Sequence, residues 1–233
     1  MQPRALIFDV FGTVVDWRAG VSAFVAPALA ARGLEVAPEA LADAWRGEYQ
    51  PAMQRIREGG RGYVPLDDLH RENLDRALEG LGIAEAFDAA ARDALNPAWE
   101  ALPPWADVLP GLERLRARFL LAPCSNGSTA LMVRLARFAG LRWDCILGAD
   151  VARDYKPKAG VYLASAAALR LAPGEVMMVA AHDGDLAAAR AAGLQTAFVP
   201  RPDEFGTGEP EAISQQWDVI AEDFGDLAER LGA

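Results

Sequence analysis

The sequence predicts an α/β protein: a parallel sheet covered by helices on both faces, with a helical segment inserted after the first strand. Three observations predict it. From about residue 100 onward, short apolar runs alternate with helical stretches, the pattern of strands joined by helical crossovers. An apolar run at residues 5–9 stands apart from that series and ends on a carboxylate, Asp9. Between the two, residues 17–95 carry helical periodicity and no convincing strand.

Each element follows from its local pattern. Residues 5–9 read as the first strand. Helices are expected at 21–32, 38–58, 66–81 and 84–94, with Gly59-Gly60-Arg61-Gly62 breaking the series as a loop. After Leu102-Pro103-Pro104 come a helix at 108–118, opened by Asp107 as its cap, and a strand at 119–124. A helix at 128–139, a short strand at 145–147 and a helix at 158–171 follow. The series closes with a strand at 176–180, a helix at 186–192, a strand at 196–199, an edge strand at 218–220 and a helix at 224–231. The expected division is a core of residues 1–16 and 100–233 and a helical insert of 17–99 placed over the active edge of the sheet.

Composition bounds the function. The chain has 233 residues, enough for one core and a smaller insert, and its 52% hydrophobic and 24% charged residues are a globular balance. No apolar run is long enough to span a bilayer, and residues 1–4 lead directly into a strand, so neither a signal peptide nor a membrane partner is expected and the cytoplasm is the expected location. Cys124 and Cys145 read as reduced core thiols. A net charge of −10 disfavours nucleic acid and anionic membranes as partners. An acidic protein that binds an anion needs local positive charge, which singles out particular Arg and Lys residues.

Four polar clusters fall directly after strands, where a parallel sheet presents its chemistry. They are Asp9 to Thr13, Ser125-Asn126, Tyr155-Lys156-Pro157 and His182-Asp183-Gly184-Asp185. Asp9 at a strand end suits a metal ligand, a base or a nucleophile. The residue two positions on is Phe11, not a second acid.

This order of clusters resembles the haloacid dehalogenase superfamily along essentially the whole chain, which implies a Rossmann-like sheet core with an inserted helical cap. Most members of that superfamily are magnesium-dependent phosphatases. They carry a second Asp where this chain has Phe11, and an acid where it has Ala181. Without those carboxylates a magnesium site is poor and a leaving alcohol has no evident proton donor. The departures match one branch, the type II 2-haloacid dehalogenases. Trp45-Arg46, the run from Leu121 to Gly127, and Tyr155-Lys156-Pro157 through Tyr162 extend that match.

The resemblance implies hydrolysis of short 2-haloalkanoic acids, the (S) enantiomer favoured, to 2-hydroxy acids and halide, with no cofactor or metal. Asp9 would be the nucleophile and form an ester that water then cleaves. Lys156 would keep Asp9 anionic, Thr13 would orient it, and Asp185 would fix Lys156 or help activate the water. Ser125, with backbone N–H groups, would bind the substrate carboxylate. Arg46 and Asn126 would receive the halide, Phe11 and Tyr49 would exclude water, and Tyr162 matches a tyrosine near the lysine. The fourth motif, Ala180-Ala181-His182-Asp183-Gly184-Asp185, has Asp183 where Asn is usual and Gly184 where the best-known pattern has Trp. His182 is a candidate base for ester hydrolysis or a structural histidine, and Asp183 a candidate catalytic group or a helix cap. Relatives are often homodimers. Other readings are a magnesium-dependent phosphatase and a non-catalytic binding protein of the same fold. His70 reads as an exposed helix residue, residues 201–206 as a surface loop, and the tryptophans as packing.

Overall fold

In a computed structural model, which describes residues 2–233, the strands are β1 (Ala5–Phe8), β2 (Leu120–Pro123), β3 (Val176–Ala180), β4 (Gln195–Phe198) and β5 (Val219–Ile220). They form an all-parallel sheet in the order β2-β1-β3-β4-β5. Phe8 at the end of β1 is level with Pro123 of β2 and Val179 of β3. The loops leaving these three strands therefore converge on one edge.

Burial on both faces accounts for the continuous apolar runs. Leu6 and Phe8 of β1 enter one core with Leu121, Met177 and Val179, while Ala5 and Ile7 enter a second with Ala122, Met178 and Ala180. Helices α1 (Trp17–Ala30), α2 (Pro38–Gly47), α3 (Tyr49–Arg57), α4 (Leu66–Gly80) and α5 (Ala89–Leu95) all lie between β1 and β2 in the chain. The first core runs on from the sheet into these helices through Trp17, Trp45 and Trp99. Helices α6 (Val108–Arg116) and α7 (Thr129–Ala139) follow and also join it, as does α10 (Phe224–Arg230). Helices α8 (Ala159–Ala168) and α9 (Asp183–Ala191) supply the second core. Among the described residues no helix is long and apolar enough to cross a membrane.

Four local expectations are corrected. The helix expected at 38–58 is two, α2 and α3, parted at Glu48. Pro51 is the cause: it lacks the N–H that would bond Gly47 and its ring crowds that carbonyl. The helix expected at 84–94 begins only at Ala89, where Asp88 caps it by accepting from the Ala91 N–H at 2.8 Å. Residues 145–147 form no strand. Asp144 uses up the edge of β2 instead, its N–H donating to the Leu121 carbonyl and its carboxylate accepting the Leu121 N–H, both at 2.9 Å. Asp107 does not cap α6. Its carboxylate is drawn to Arg201, at 2.8 and 3.0 Å, and accepts the Phe224 N–H at 2.9 Å, tying α10 to α6.

The α6–α10 contact leaves no room for a methyl group. A Cβ on Gly111 would lie 2.4 Å from the Phe224 Cβ and 2.8 Å from its carbonyl carbon. Gly111→Ala is expected to lose about 1–3 kcal/mol by overpacking, despite alanine's better helix propensity, read as a lowered urea midpoint at unchanged slope.

Candidate active site

Asp9 follows β1 directly and its N–H donates to the Val179 carbonyl at 3.0 Å, so the adjacent strand fixes its backbone. The chain then turns at Gly12, whose φ of 90° favours glycine. Thr13 comes back under the carboxylate: Oγ1 donates to Asp9 Oδ2 at 2.8 Å and accepts the Ala181 N–H at 2.9 Å. One hydroxyl thus joins the β1 turn to the end of β3. Lys156, from the loop before α8, places Nζ 2.8 Å from Asp9 Oδ1 and 2.5 Å from Asp185 Oδ2. Tyr162 on α8 donates to the other Asp185 oxygen at 2.5 Å. Asn126, after β2, holds the lysine loop by accepting the Lys156 N–H at 2.8 Å.

His182 completes the network. Nδ1 lies 2.9 Å from Asp9 Oδ2, and Nε2 lies 2.9 Å from Glu204 Oε2. Glu204 is buried and also accepts from Trp17 Nε1 at 3.1 Å. Its carboxylate occupies the space over Gly12, where a Cβ would come within 2.2 Å of Oε1. That close approach gives the glycine a second reason.

The charges in this network support one another. Burial would raise the Asp9 carboxyl, but the Lys156 charge beside it and the hydrogen bond and charge of His182 hold it well below the usual carboxylate range. Burial would lower the Lys156 ammonium, and Asp185 and Asp9 raise it above the ordinary lysine value. Burial likewise opposes charge on His182, yet its bonds to Asp9 and Glu204 push it up to about 10. At neutral pH the site holds an ionised Asp9 between two cations.

A cavity of about 650 Å³ opens onto this network, lined at its inner end by Asp9, Phe11, Arg46, Tyr49 and Asn126. The break between α2 and α3 turns Arg46 and Tyr49 to the same opening. The Arg46 guanidinium lies 4.1 Å from the Tyr49 ring centre and 5.3 Å from that of Trp17, and its buried Nη1 has no protein partner. A half-sandwiched cation with an unused donor at the end of a cavity is equipped to receive an anion. Phe11 meets Tyr49, His70 and Trp99 edge-on, with centroids 5.8 to 6.3 Å away.

The sequence-derived residues separate into three groups. Asp9, Thr13, Lys156, His182, Asp185 and Tyr162 form one hydrogen-bonded network. Phe11, Arg46, Tyr49 and Asn126 line the cavity. Two residues sit elsewhere. Ser125 is buried beside Asn126, where Oγ accepts the Gly127 N–H at 3.1 Å. Asp183 turns away from Asp9, because its carboxylate takes the Ser214 N–H and hydroxyl and the Trp217 Nε1. It is the first residue of α9 and His182 holds the cap position, so Asp183 is not the helix cap either. It anchors the segment ahead of β5 and adds no charge at the nucleophile through any of these bonds.

Two further corrections concern residues read as peripheral. His70 is buried, its ring stacked on Trp99 at 4.3 Å. The segment 201–206 is not simply a surface loop, since Arg201 and Glu204 are buried and Arg201 Nε donates to the Thr13 carbonyl at 2.8 Å. Glu204 carries no motif, and only a buried acid in a Pro- and Gly-containing stretch could have signalled it. Arg57 also reaches the site, donating to the Lys156 carbonyl at 2.9 Å.

The donor set does not fit a magnesium ion, which wants several oxygen ligands in octahedral array. Phe11 and Ala181 offer none. Both Asp185 oxygens are committed, to Lys156 and Tyr162, and both Asp9 oxygens to Lys156, Thr13 and His182.

Residues 3–193 match the family model of the haloacid dehalogenase-like hydrolases. A crystal structure of a defluorinating L-2-haloacid dehalogenase superposes with a TM-score of 0.96 at 48% identity, covering 99% of this chain and 96% of the other. The (S)-2-haloacid dehalogenase of Pseudomonas sp. (strain YL) is 29% identical over 201 residues, 85% of this chain and 83% of its own. The phosphoglycolate phosphatase of Salmonella paratyphi A (strain ATCC 9150 / SARB42) is 28% identical over 243 residues, 98% of this chain and 92% of its own.

The raised His182 value has a consequence for stability. A histidine held protonated in the fold, against an ordinary value of 6.5, contributes stability in full below pH 6.5 and loses it as pH rises through about 10. The stability difference between the unaltered protein and His182→Gln, from denaturant midpoints across pH, is expected to be largest below pH 6.5 and to fade toward pH 10. A difference that grows with pH would contradict the protonated assignment.

Proposed function

The chain belongs to the haloacid dehalogenase-like hydrolases, and on that premise we propose that it hydrolyses short (S)-2-haloalkanoic acids to 2-hydroxy acids and halide through an ester on Asp9. The observation that carries the reading is the floor of the cavity. An ionised Asp9 lines the same cavity as Phe11 and Arg46, whose Nη1 is unpaired, with no second acid in the β1 turn. In this reading residues 17–99 form the cap and residues 1–16 with 100–233 form the catalytic core.

The steps follow from the contacts. The substrate carboxylate is drawn into a cavity whose inner end is positively charged, with the N–H groups after β1 and β2 as its donors. An Asp9 oxygen attacks C2 from the side opposite the halogen. The new C–O bond forms as the carbon–halogen bond breaks, and the halide departs toward Arg46 and the Asn126 side chain. Phe11 and Tyr49 keep water from the carbon under attack. Fixed seats for carboxylate and halide leave one enantiomer correctly aligned, with inversion at C2.

Esterification removes the negative charge on Asp9, one of the two carboxylates that hold the proton on His182. With that charge gone the imidazolium gives up its Nδ1 proton to solvent, keeps the Nε2 proton shared with Glu204, and is a neutral base at the stage where one is needed. Water attacks the Asp9 carbonyl carbon while His182 accepts its proton. Lys156 and Thr13 steady the charge that develops on the Asp9 oxygens. As the acyl C–O bond breaks, His182 passes that proton to the leaving oxygen; the Asp9 acid so formed returns a proton to His182, which restores the ionised pair and releases the hydroxy acid, whose new oxygen comes from Asp9.

The protein is expected to release halide from (S)-2-chloropropionate with EDTA present, and far more slowly from the (R) enantiomer. Asp9→Asn should lower the rate by roughly 10³-fold or more, as loss of a covalent nucleophile does, with the fold checked by circular dichroism. Unchanged turnover by Asp9→Asn would overturn the assignment. Chelator-sensitive hydrolysis of an aryl phosphate, with no halide release, would establish the phosphatase reading instead.

A further inference from the structure

The cavity is larger than the proposed reaction requires. Its volume of about 650 Å³ lies in the range of roughly 300–1,000 Å³ that encloses drug-sized ligands. A two- or three-carbon haloacid occupies only the inner end. The outer part is lined by Gln50, Gln54, Arg57, Lys158, Gly184 and Glu211. A Cβ on Gly184 would meet nothing within 4 Å, so α9 leaves open a mouth that a side chain there would narrow.

The charges along this cavity are not fully matched. Asp9 and Asp185 are held by Lys156, Lys158 pairs with Asp154 at 2.9 Å, and Glu211 accepts the Asp183 N–H at 2.9 Å. Among the described residues, Arg46 and Arg57 are the lining cations that pair with no carboxylate. Arg46 belongs to the halide end. Arg57, half-buried at the end of α3, donates only to neutral acceptors: Nη1 to the Lys156 carbonyl at 2.9 Å, Nε to Gln54 Oε1 at 2.9 Å and Nη2 to Gln50 Oε1 at 3.2 Å. A guanidinium carries five N–H donors, so one remains on each Nη. A partly buried cation with a free two-pronged donor and no counterion is a seat for a carboxylate.

We propose that Arg57 forms a second anion subsite at the cavity mouth, and that the enzyme prefers 2-haloacids carrying a second carboxylate at the far end of the chain. The proposal rests on the dehalogenase reading of the inner site and leaves the chemistry at C2 unchanged. Gln50 and Gln54 hold the guanidinium in place, and its bond to the Lys156 carbonyl fixes the subsite relative to the nucleophile.

The test compares halide release from 2-bromosuccinate, 2-bromoglutarate and 2-bromoadipate with that from 2-bromobutanoate, 2-bromopentanoate and 2-bromohexanoate. At least one diacid is expected to show a KM about ten- to hundredfold below its chain-matched monoacid, the range that a hydrogen bond between charged groups supports. Arg57→Gln should abolish that KM ratio, whatever it does to the turnover of both acids, and Arg57→Lys should restore part of it. Turnover of monoacids without a diacid preference, or a preference that survives Arg57→Gln, overturns the subsite and leaves the dehalogenase reading standing. No halide release from any of the six acids overturns both. Competitive inhibition of the unaltered protein needs no variant: glutarate or adipate binding more tightly than pentanoate or hexanoate supports the subsite, and equal inhibition overturns it.

Discussion

The ammonium of Lys156, buried between Asp9 and Asp185, is the constraint on which the site depends. Burying a charge costs several kcal/mol unless opposite charge and hydrogen bonds surround it. Here the compensation comes from the end of β1 and from the first turn of α9. The same arrangement keeps Asp9 ionised in a place where burial alone would favour its protonated form. The backbone of Lys156 is tied to Asn126 after β2 and to Arg57 on α3. One residue thereby holds together the elements that bound the inner cavity, and the cation that joins them is the one that keeps Asp9 ionised.

The wall opposite the nucleophile has a different physical origin. Trp17, Trp45, Trp99, His70, Phe11 and Tyr49 form a continuous set of ring contacts joining the helices after β1 to the turn that carries Asp9. Such packing is dense and resists displacement. Burial, with the nearby Arg46 charge, drives the His70 imidazole well below its ordinary value, so it stays neutral. His70 therefore adds no positive charge to this aromatic wall, where the Arg46 guanidinium remains to attract an anion. The cavity is aromatic along Phe11 and Tyr49 and ionic around Asp9, Lys156 and His182.

Much of this was legible in the sequence because the signals are local. Apolar runs ending on Asp9, Ser125 and the His182 stretch placed three strand ends, and period-two burial on both faces explains why those runs are continuous. Phe11 and Ala181 stood in the chain where acids would be needed for a metal, and the oxygens of Asp9 and Asp185 are taken up by Lys156, Thr13, His182 and Tyr162. The rest depended on tertiary choices. Asp107 had the residue type of a cap, but a buried Arg201 from a distant loop offered it two charge-assisted bonds. Asp183 looked like a group beside Asp9 or a helix cap, yet from the first position of α9 its carboxylate meets Ser214 and Trp217. Glu204 was unreadable, since its role arises only when the loop after β4 folds over Gly12. His70 sat among acids on a helix and gave no hint of burial, because the surface that covers it comes from Trp99 and Phe11.

The central claim is that Asp9 itself becomes bonded to the substrate, and a single turnover in heavy-oxygen water tests it most directly. With enzyme in excess over (S)-2-chloropropionate, the account predicts that the hydroxy acid carries ordinary oxygen and that the heavy isotope appears in the peptide containing Asp9. Heavy oxygen in the product of the first turnover, with that peptide unlabelled, would mean that water attacks the carbon directly, and would contradict the account.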